Sequence, residues 1–423
     1  MIDAAIASRG ETLLTGLRNL LDDLKRGKLT MTDEHAFEVG RNLAATPGKV
    51  IFENRLFQLV QYAPTTGTVH ETPLLIFPPW INKFYILDLT PEKSFVRWAV
   101  ARGYTVFIVS WRQACPELAD VTLDSYVLEG QLTAIEKVLE ITATAATHVL
   151  GYCVAGTTLA ATLAYLAATG AAGKIRSATF LTSQVDFTEA GELLHLVDEQ
   201  MLACIDALAT GKGYLDGRWL ATSFNMLRPT ELIWNYVVNN YLKGKENIPF
   251  DLLYWNSDPT NVPARWHRDY LRRFYRENLL VKPGAVDVAG VPIYLRKVET
   301  PVYIQIGRDD HIVPAPSGYK LIRAFSGPHR LALAGSGHIA GVVNPPQLGK
   351  YQYWTMPDGV PEPERLSDFQ AQAVETKGSW WPDWDRWLAP QSGPEVPARM
   401  PGTVPGFPVI EDAPGRYVRE RIA

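Results

Sequence analysis

Cysteine is scarce in this chain, with three residues in 423, at positions 115, 153 and 204. Thiols so few and so scattered exclude a disulfide framework. Long apolar runs are missing as well, and none approaches the ~20 residues that a membrane-spanning helix needs. Neither sign of charge dominates: 41 Lys and Arg stand against 45 Asp and Glu, a net charge of −4. That balance argues against a nucleic-acid partner. The eight histidines show no HExxH spacing and no CxxC pair occurs, so neither a metal nor another cofactor is expected. Residues 1–10 lack a basic stretch followed by an apolar core, which predicts no secretory leader and a cytosolic setting.

What is present is the composition of a globular enzyme, 47% hydrophobic and 20% charged. Short apolar runs at 74–77, 105–110, 148–152, 178–183, 302–306 and 331–334 alternate with helical stretches. They predict an α/β fold, a largely parallel sheet with helices on both faces. Residues 1–72 are expected to pack on this core as a helical and extended segment, with helices through residue 50 and two strands near 50–62. The core itself takes residues 73–186 and 296–390. Residues 187–295 break the rhythm: from Tyr214 to Tyr275 there are 13 aromatics in 62 residues, against 11% for the whole chain. A mostly helical cap inserted into the core is expected here, most of its aromatics forming its own interior. After Pro390, proline and glycine accumulate and predict an irregular C-terminal arm over 391–423.

The chemistry centres on Thr147-His-Val-Leu-Gly-Tyr-Cys-Val-Ala-Gly156. A buried strand runs into an Ala/Leu-rich helix with Cys153 at the turn. This resembles the nucleophile elbow of α/β-hydrolases, G-x-S-x-G, with cysteine for serine and Ala155 where the second glycine is expected. The order of that fold is nucleophile, acid, histidine. An apolar strand leads to Asp309, Asp310 and His311, and a second ends at the glycine-flanked His338. The competing bland readings are a structural cysteine in an ordinary turn, Asp309 as the acid, and His311 as the base. Cys115 and Cys204 follow loop or helix patterns without a partner. The cluster Arg265, His267, Arg268, Arg272, Arg273 and Arg276 is read first as a solvated or salt-bridged helix face, and second as a phosphate site for CoA.

Many segments together resemble the polyhydroxyalkanoate synthases, specifically the catalytic domain of class I enzymes. They include Pro78-Pro-Trp-Ile-Asn-Lys83, Val109-Ser-Trp-Arg112, Leu150-Gly-Tyr-Cys-Val154, Trp234-Asn-Tyr-Val-Val238, Asp310-His-Ile-Val-Pro314, Gly337-His-Ile-Ala-Gly341 and Gly378-Ser-Trp-Trp-Pro-Asp-Trp384. The resemblance spans about residues 10–420, and class I enzymes carry a long further N-terminal region, near whose end this chain begins. It implies an α/β-hydrolase topology and an acyltransferase that polymerises (R)-3-hydroxyacyl-CoA, short-chain monomers such as 3-hydroxybutyryl-CoA, releasing CoA to a growing polyester. It also implies a homodimer at the surface of cytoplasmic storage granules, with granule-associated proteins as further partners. Cys153, Asp310 and His338 are the implied catalytic residues, Asp310 either orienting His338 or helping to deprotonate the incoming hydroxyl. The backbone N–H groups of Val154 and Ile81 are expected as oxyanion donors, and Trp80, His311, Ile339 and Ala340 as substrate contacts.

The residue types suit that reaction. Imidazole, ordinarily near pKa ~6.5, can take the proton of a thiol near ~8.5. Exchange of one thioester for another is nearly balanced, so an acyl group on Cys153 stays activated, and its transfer to an alcohol is downhill. A cysteine-dependent thioesterase on the same fold and a non-catalytic granule scaffold are the alternatives.

Overall fold

The computed structural model describes residues 2–422. Its centre is an eleven-stranded sheet. The strands are β1 (Gly48–Glu53), β2 (Phe57–Tyr62), β3 (Leu74–Phe77), β4 (Val106–Trp111), β5 (Thr147–Tyr152), β6 (Ile175–Leu181), β7 (Val302–Gly307), β8 (His329–Ala334), β9 (Gln352–Thr355), β10 (Val374–Lys377) and β11 (Glu411–Asp412). Their order is β10-β9-β8-β7-β6-β5-β3-β4-β2-β1-β11. The six strands from β4 to β8 in that order are parallel neighbours, with β3 between β4 and β5. The flanking strands at both sides are antiparallel.

The parallel strands carry the short apolar runs of the sequence, and β3, β4, β5 and β7 are buried along their whole length. That is the state of a sheet covered on both faces. The helix after β5, Val154–Ala168, is apolar all round and almost wholly buried. It lies under the sheet against the turns Ser125–Leu132 and Leu295–Lys297. On the core also sits Trp381–Leu388, whose Trp381 and Trp384, with the adjoining Trp380, are fully buried around Phe95.

The ends of the chain depart from expectation in part. Helices Ile2–Ala7 and Glu11–Arg26 form, but the expected helix near Phe37 is a single turn, Glu34–Ala36. Its start is capped by Asp33, which accepts from the His35 N–H at 3.0 Å. It ends at once because Phe37 already has extended backbone, φ −124° and ψ 139°. The two expected strands, β1 and β2, belong to the main sheet instead of a separate segment. The C-terminal arm is more regular than its composition implied: Glu395–Pro397 pairs with Thr68–His70, and β11 pairs with β1. Backbone pairing with an edge strand needs no apolar side chains, and it covers donors and acceptors otherwise left open.

Between β6 and β7 the chain leaves the sheet for short helices, among them Glu199–Ala209, Gly217–Met226 and Ala264–Tyr270, and wide-pitched turns such as Leu271–Arg276. Among the described residues no helix is long and apolar enough to cross a membrane.

Candidate active site

β5 stops at Tyr152, and Cys153 takes φ 54°, ψ −127° before the helix begins at Val154. A side chain with positive φ is strained, and such strain persists only where the surroundings hold it. Here the Cys153 N–H donates to the Leu181 carbonyl at 2.9 Å, and the Ser183 hydroxyl donates to the Cys153 carbonyl at 3.0 Å. Close approach of strand and helix falls on Gly151 and Gly156. A Cβ on Gly151 would lie 2.7 Å from the Gly156 Cα, and one on Gly156 would lie 2.0 Å from the Ser183 Oγ. The small residue that the turn requires after the nucleophile is therefore Gly156, one place beyond the expected position, and Ala155 is simply buried.

β7 delivers the acid. Asp310 is buried, and its Oδ1 accepts from the backbone N–H groups of Ile312 at 2.8 Å and Val313 at 2.9 Å. Its Oδ2 accepts from His338 Nδ1 at 2.8 Å. β8 delivers that histidine through Gly335-Ser-Gly337. The Tyr152 ring stacks on the imidazole at 5.6 Å, and the Tyr152 hydroxyl donates to the His338 carbonyl at 3.1 Å. The loop beyond is pinned by two indole N–H groups, Trp380 to the Gly341 carbonyl at 2.8 Å and Trp381 to that of Val342 at 2.9 Å. With Nδ1 engaged, Nε2 is the nitrogen left for the cysteine.

Burial alone would lower the His338 pKa. The charges of Asp310 and Cys153 outweigh it and raise the group to about 10. His311 goes the other way: burial and the neighbouring Arg228 lower it. Asp309 faces the solvent, paired with Arg308 at 3.2 Å.

A narrow cavity opens over the sulfur, walled in part by Ile81, Val154, Gln184, Tyr275, Ile312 and Val313. Ile81 and Val154 thus stand beside Cys153. The loop bearing Ile81 is fixed at both ends, because the indole N–H of Trp111 donates to Pro78 and that of Trp255 to Lys83, both at 2.8 Å. Val154 opens a helix, where N–H groups lack intrahelical acceptors and the dipole favours negative charge. Trp80 lies in a larger neighbouring cavity, packed on Tyr126, Trp266 and Tyr270. His311, Ile339 and Ala340 are half-buried and line neither cavity.

Gln184 and Tyr275 were not foreseen. Gln184 donates to the Tyr275 hydroxyl at 3.2 Å and accepts from the Ser317 hydroxyl at 2.7 Å, which steadies the wall opposite the sulfur. The available signal was position: Gln184 follows the carboxyl end of β6, where open α/β sheets place their ligands. Much of the arginine cluster is paired, Arg272 and Arg276 with Glu199 at 3.0 and 2.8 Å, and Arg268 with Asp206 at 3.8 Å.

Comparison with known proteins identifies the family and the fold. Residues 1–99 match the family model "Poly-beta-hydroxybutyrate polymerase (PhaC) N-terminus", and residues 77–345 match "alpha/beta hydrolase fold". The chain is 49% identical over 415 residues to a poly(3-hydroxyalkanoate) polymerase of Methylorubrum extorquens, covering 97% of this chain and 68% of that one. It is 47% identical over 421 residues to the polymerase subunit PhaC of Cupriavidus necator, covering 98% and 71%. A third relative, from Rhizobium meliloti, is 47% identical over 420 residues, covering 98% and 68%. With an α/β-hydrolase sheet, a cysteine at its elbow and these relatives, the chain belongs to the poly(3-hydroxyalkanoate) polymerase family.

Proposed function

We propose that the chain polymerises (R)-3-hydroxyacyl-CoA, with short acyl groups such as 3-hydroxybutyryl, into polyhydroxyalkanoate and releases CoA. The observation that carries this is Cys153 on a strained elbow with the buried His338–Asp310 pair beside it, at 2.8 Å between Nδ1 and Oδ2. Nε2 of His338 takes the thiol proton, and the thiolate adds to the thioester carbonyl. The Val154 and Ile81 N–H groups serve the resulting oxyanion. The bond to the CoA sulfur then breaks, and CoA leaves with the proton from the imidazolium. In the next step His338 takes the proton of an incoming 3-hydroxyl, whose oxygen attacks the acyl group on Cys153. The freed cysteine sulfur recovers a proton. The lengthened chain is still a CoA thioester, and its return to Cys153 releases that CoA.

Both oxygens of Asp310 are committed, to His338 and to two backbone N–H groups, which supports an orienting and electrostatic role for it. Residues 187–295 act as a cap that keeps water from the acyl-enzyme. The working form is a homodimer at the surface of polymer granules. Release of CoA by wild type and Cys153→Ala, paired with mass analysis of the product, tests the reading. Wild type is expected to give polymer and CoA, and Cys153→Ala neither above background. Free 3-hydroxybutyrate without polymer from the wild type rejects polymerisation in favour of hydrolysis.

A further inference from the structure

Two cavities meet at the elbow. The narrow one holds Cys153, and beside it lies one of about 320 Å³. That volume lies in the range of small-molecule sites, about 300–1,000 Å³. The two share Ile81, Val154, Leu193, Phe224, Tyr270 and Tyr275 as walls. The seam between them is therefore where an acyl group on Cys153 begins.

The larger cavity runs under the helices Glu199–Ala209 and Gly217–Met226. Leucine is the commonest residue of its walls, joined by Ile, Val, Met, Trp, Tyr and Phe, and no Asp, Glu, Lys or Arg lines it. Its one imidazole, His267, is pushed down to about 4 by burial and is neutral at physiological pH. The phosphates of a CoA thioester need cationic partners, and none stands here. A chain of ester-linked 3-hydroxyacyl units carries no charge and no N–H or O–H donor along its length. Its carbon skeleton gains from leaving water, and its carbonyls are weak acceptors that ask little of the walls. The far end of the cavity reaches the surface at Met201, Trp219 and Met226, which are 38%, 51% and 61% exposed. Large apolar side chains left in water around an opening mark a surface built to meet something apolar. Methionines there can reshape to follow a moving chain.

We propose that this cavity is the product channel: it holds the ester-linked segment beyond the unit on Cys153 and leads it out between those two helices. The assignment rests on the polymerase reading. Substrate with its CoA reaches the sulfur by another side.

Cys204 and Ser223 line the large cavity and not the narrow one, so enlarging them obstructs the channel without touching the nucleophile. Cys204 is exposed, so tryptophan there is accommodated in the free enzyme. Met226→Asp, at an exposed position, sets a charge at the opening with little risk to folding. Two measurements are made on Cys204→Trp, Ser223→Trp and Met226→Asp. One is CoA release from 3-hydroxybutyryl-CoA with enzyme in excess, and the other is polymer mass with substrate in excess. Single-turnover CoA release is expected to stay within about twofold of wild type while mean polymer length falls about tenfold or more. Cys204→Ser and Ser223→Ala should keep wild-type length. Unchanged polymer length in the obstructed variants overturns the channel. Loss of single-turnover release along with polymer length also overturns it, because the cavity would then admit substrate. Hydroxyacid without polymer from the wild type is the separate failure of the polymerase reading.

Discussion

The sheet and the segment folded over it, residues 187–295, are built on different terms. In the sheet, β3, β4, β5 and β7 are covered on both faces and every residue is buried. In the overlying segment the helices are short, and Trp219, Met226, Trp234, Val238 and Phe250 remain exposed. Its aromatics divide accordingly. Tyr254, Trp255, Trp266, Tyr270, Phe274 and Tyr275 are buried against the core, whereas the exposed Trp219 and Trp234 lie on the outer helical stretches and Phe250 in the loop before Asp251. The lesson is a division of labour: stability resides where burial is two-sided, and the adaptable surface resides where it is not.

A pair of tryptophans tests that division most strongly. Trp384 is fully buried, donates from Nε1 to the Thr179 hydroxyl at 2.9 Å, and packs on Phe95 and Trp98. Trp384→Ala should destabilise the fold by about 3–5 kcal/mol, the usual loss for a large core side chain. Trp219, half in solvent, should give a change within about 0.5 kcal/mol on replacement by alanine. Urea unfolding followed by tryptophan fluorescence, with circular dichroism as the second probe, measures both. Comparable losses at the two positions would break the comparison.

Buried histidines sharpen it at a second level. His338 in the core has a carboxylate partner and is raised to about 10, whereas His267 in the overlying segment is lowered to about 4 by burial alone. The folded protein therefore holds a proton at His338 that the unfolded chain loses near ~6.5. Its contribution is fully present below that pH and is lost as pH rises through about 10. In Asp310→Asn the leading source of the rise is gone, so the excess stability of wild type over variant should shrink between pH 7 and the alkaline end of that window. Thermal midpoints across that range read the difference. A difference that grows with pH would contradict the pairing.

The same contrast explains what was legible in the sequence. Strands β3 to β8 stood out because each carries a short, mainly apolar run, which is what two-sided burial demands. β10 was not seen, since Val374–Lys377 is exposed throughout and its sequence, VETK, has no apolar face. β11 is two acidic residues, Glu411 and Asp412, joined to β1 by backbone pairing and by the Lys49–Asp412 ion pair, with no apolar side chain to announce it. At the site, Cys153 and His338 could be read because a strand end and a glycine-flanked loop announce them, while only the family resemblance favours Asp310 over Asp309. Gln184 had only its place after a strand end to mark it, and Tyr275 had nothing, since it lies on a turn some 90 residues on and only the fold brings the two within 3.2 Å. Gly156 was missed because the motif's spacing was applied strictly, whereas the steric need is set by where the helix passes Ser183.

The smallest effect concerns how the outer helices are held. Glu199 opens the helix Glu199–Ala209 and binds Arg272 and Arg276 at 3.0 and 2.8 Å. These contacts tie that helix to the turn Leu271–Arg276 beneath it. All three side chains are substantially exposed. Ion pairs in water yield only ~0.2–1 kcal/mol, since solvent screens the attraction and both side chains lose freedom. Glu199 also sits where the helix dipole favours a carboxylate, another ~0.3–1 kcal/mol at low salt. Glu199→Gln should therefore destabilise the protein by no more than about 1–2 kcal/mol at low salt. Most of that should vanish near ~1 M salt, where the Debye length is about 3 Å. If the loss persisted undiminished in salt, something other than these charges would be fastening the helix, and the outer layer would be more firmly built than its exposed side chains imply.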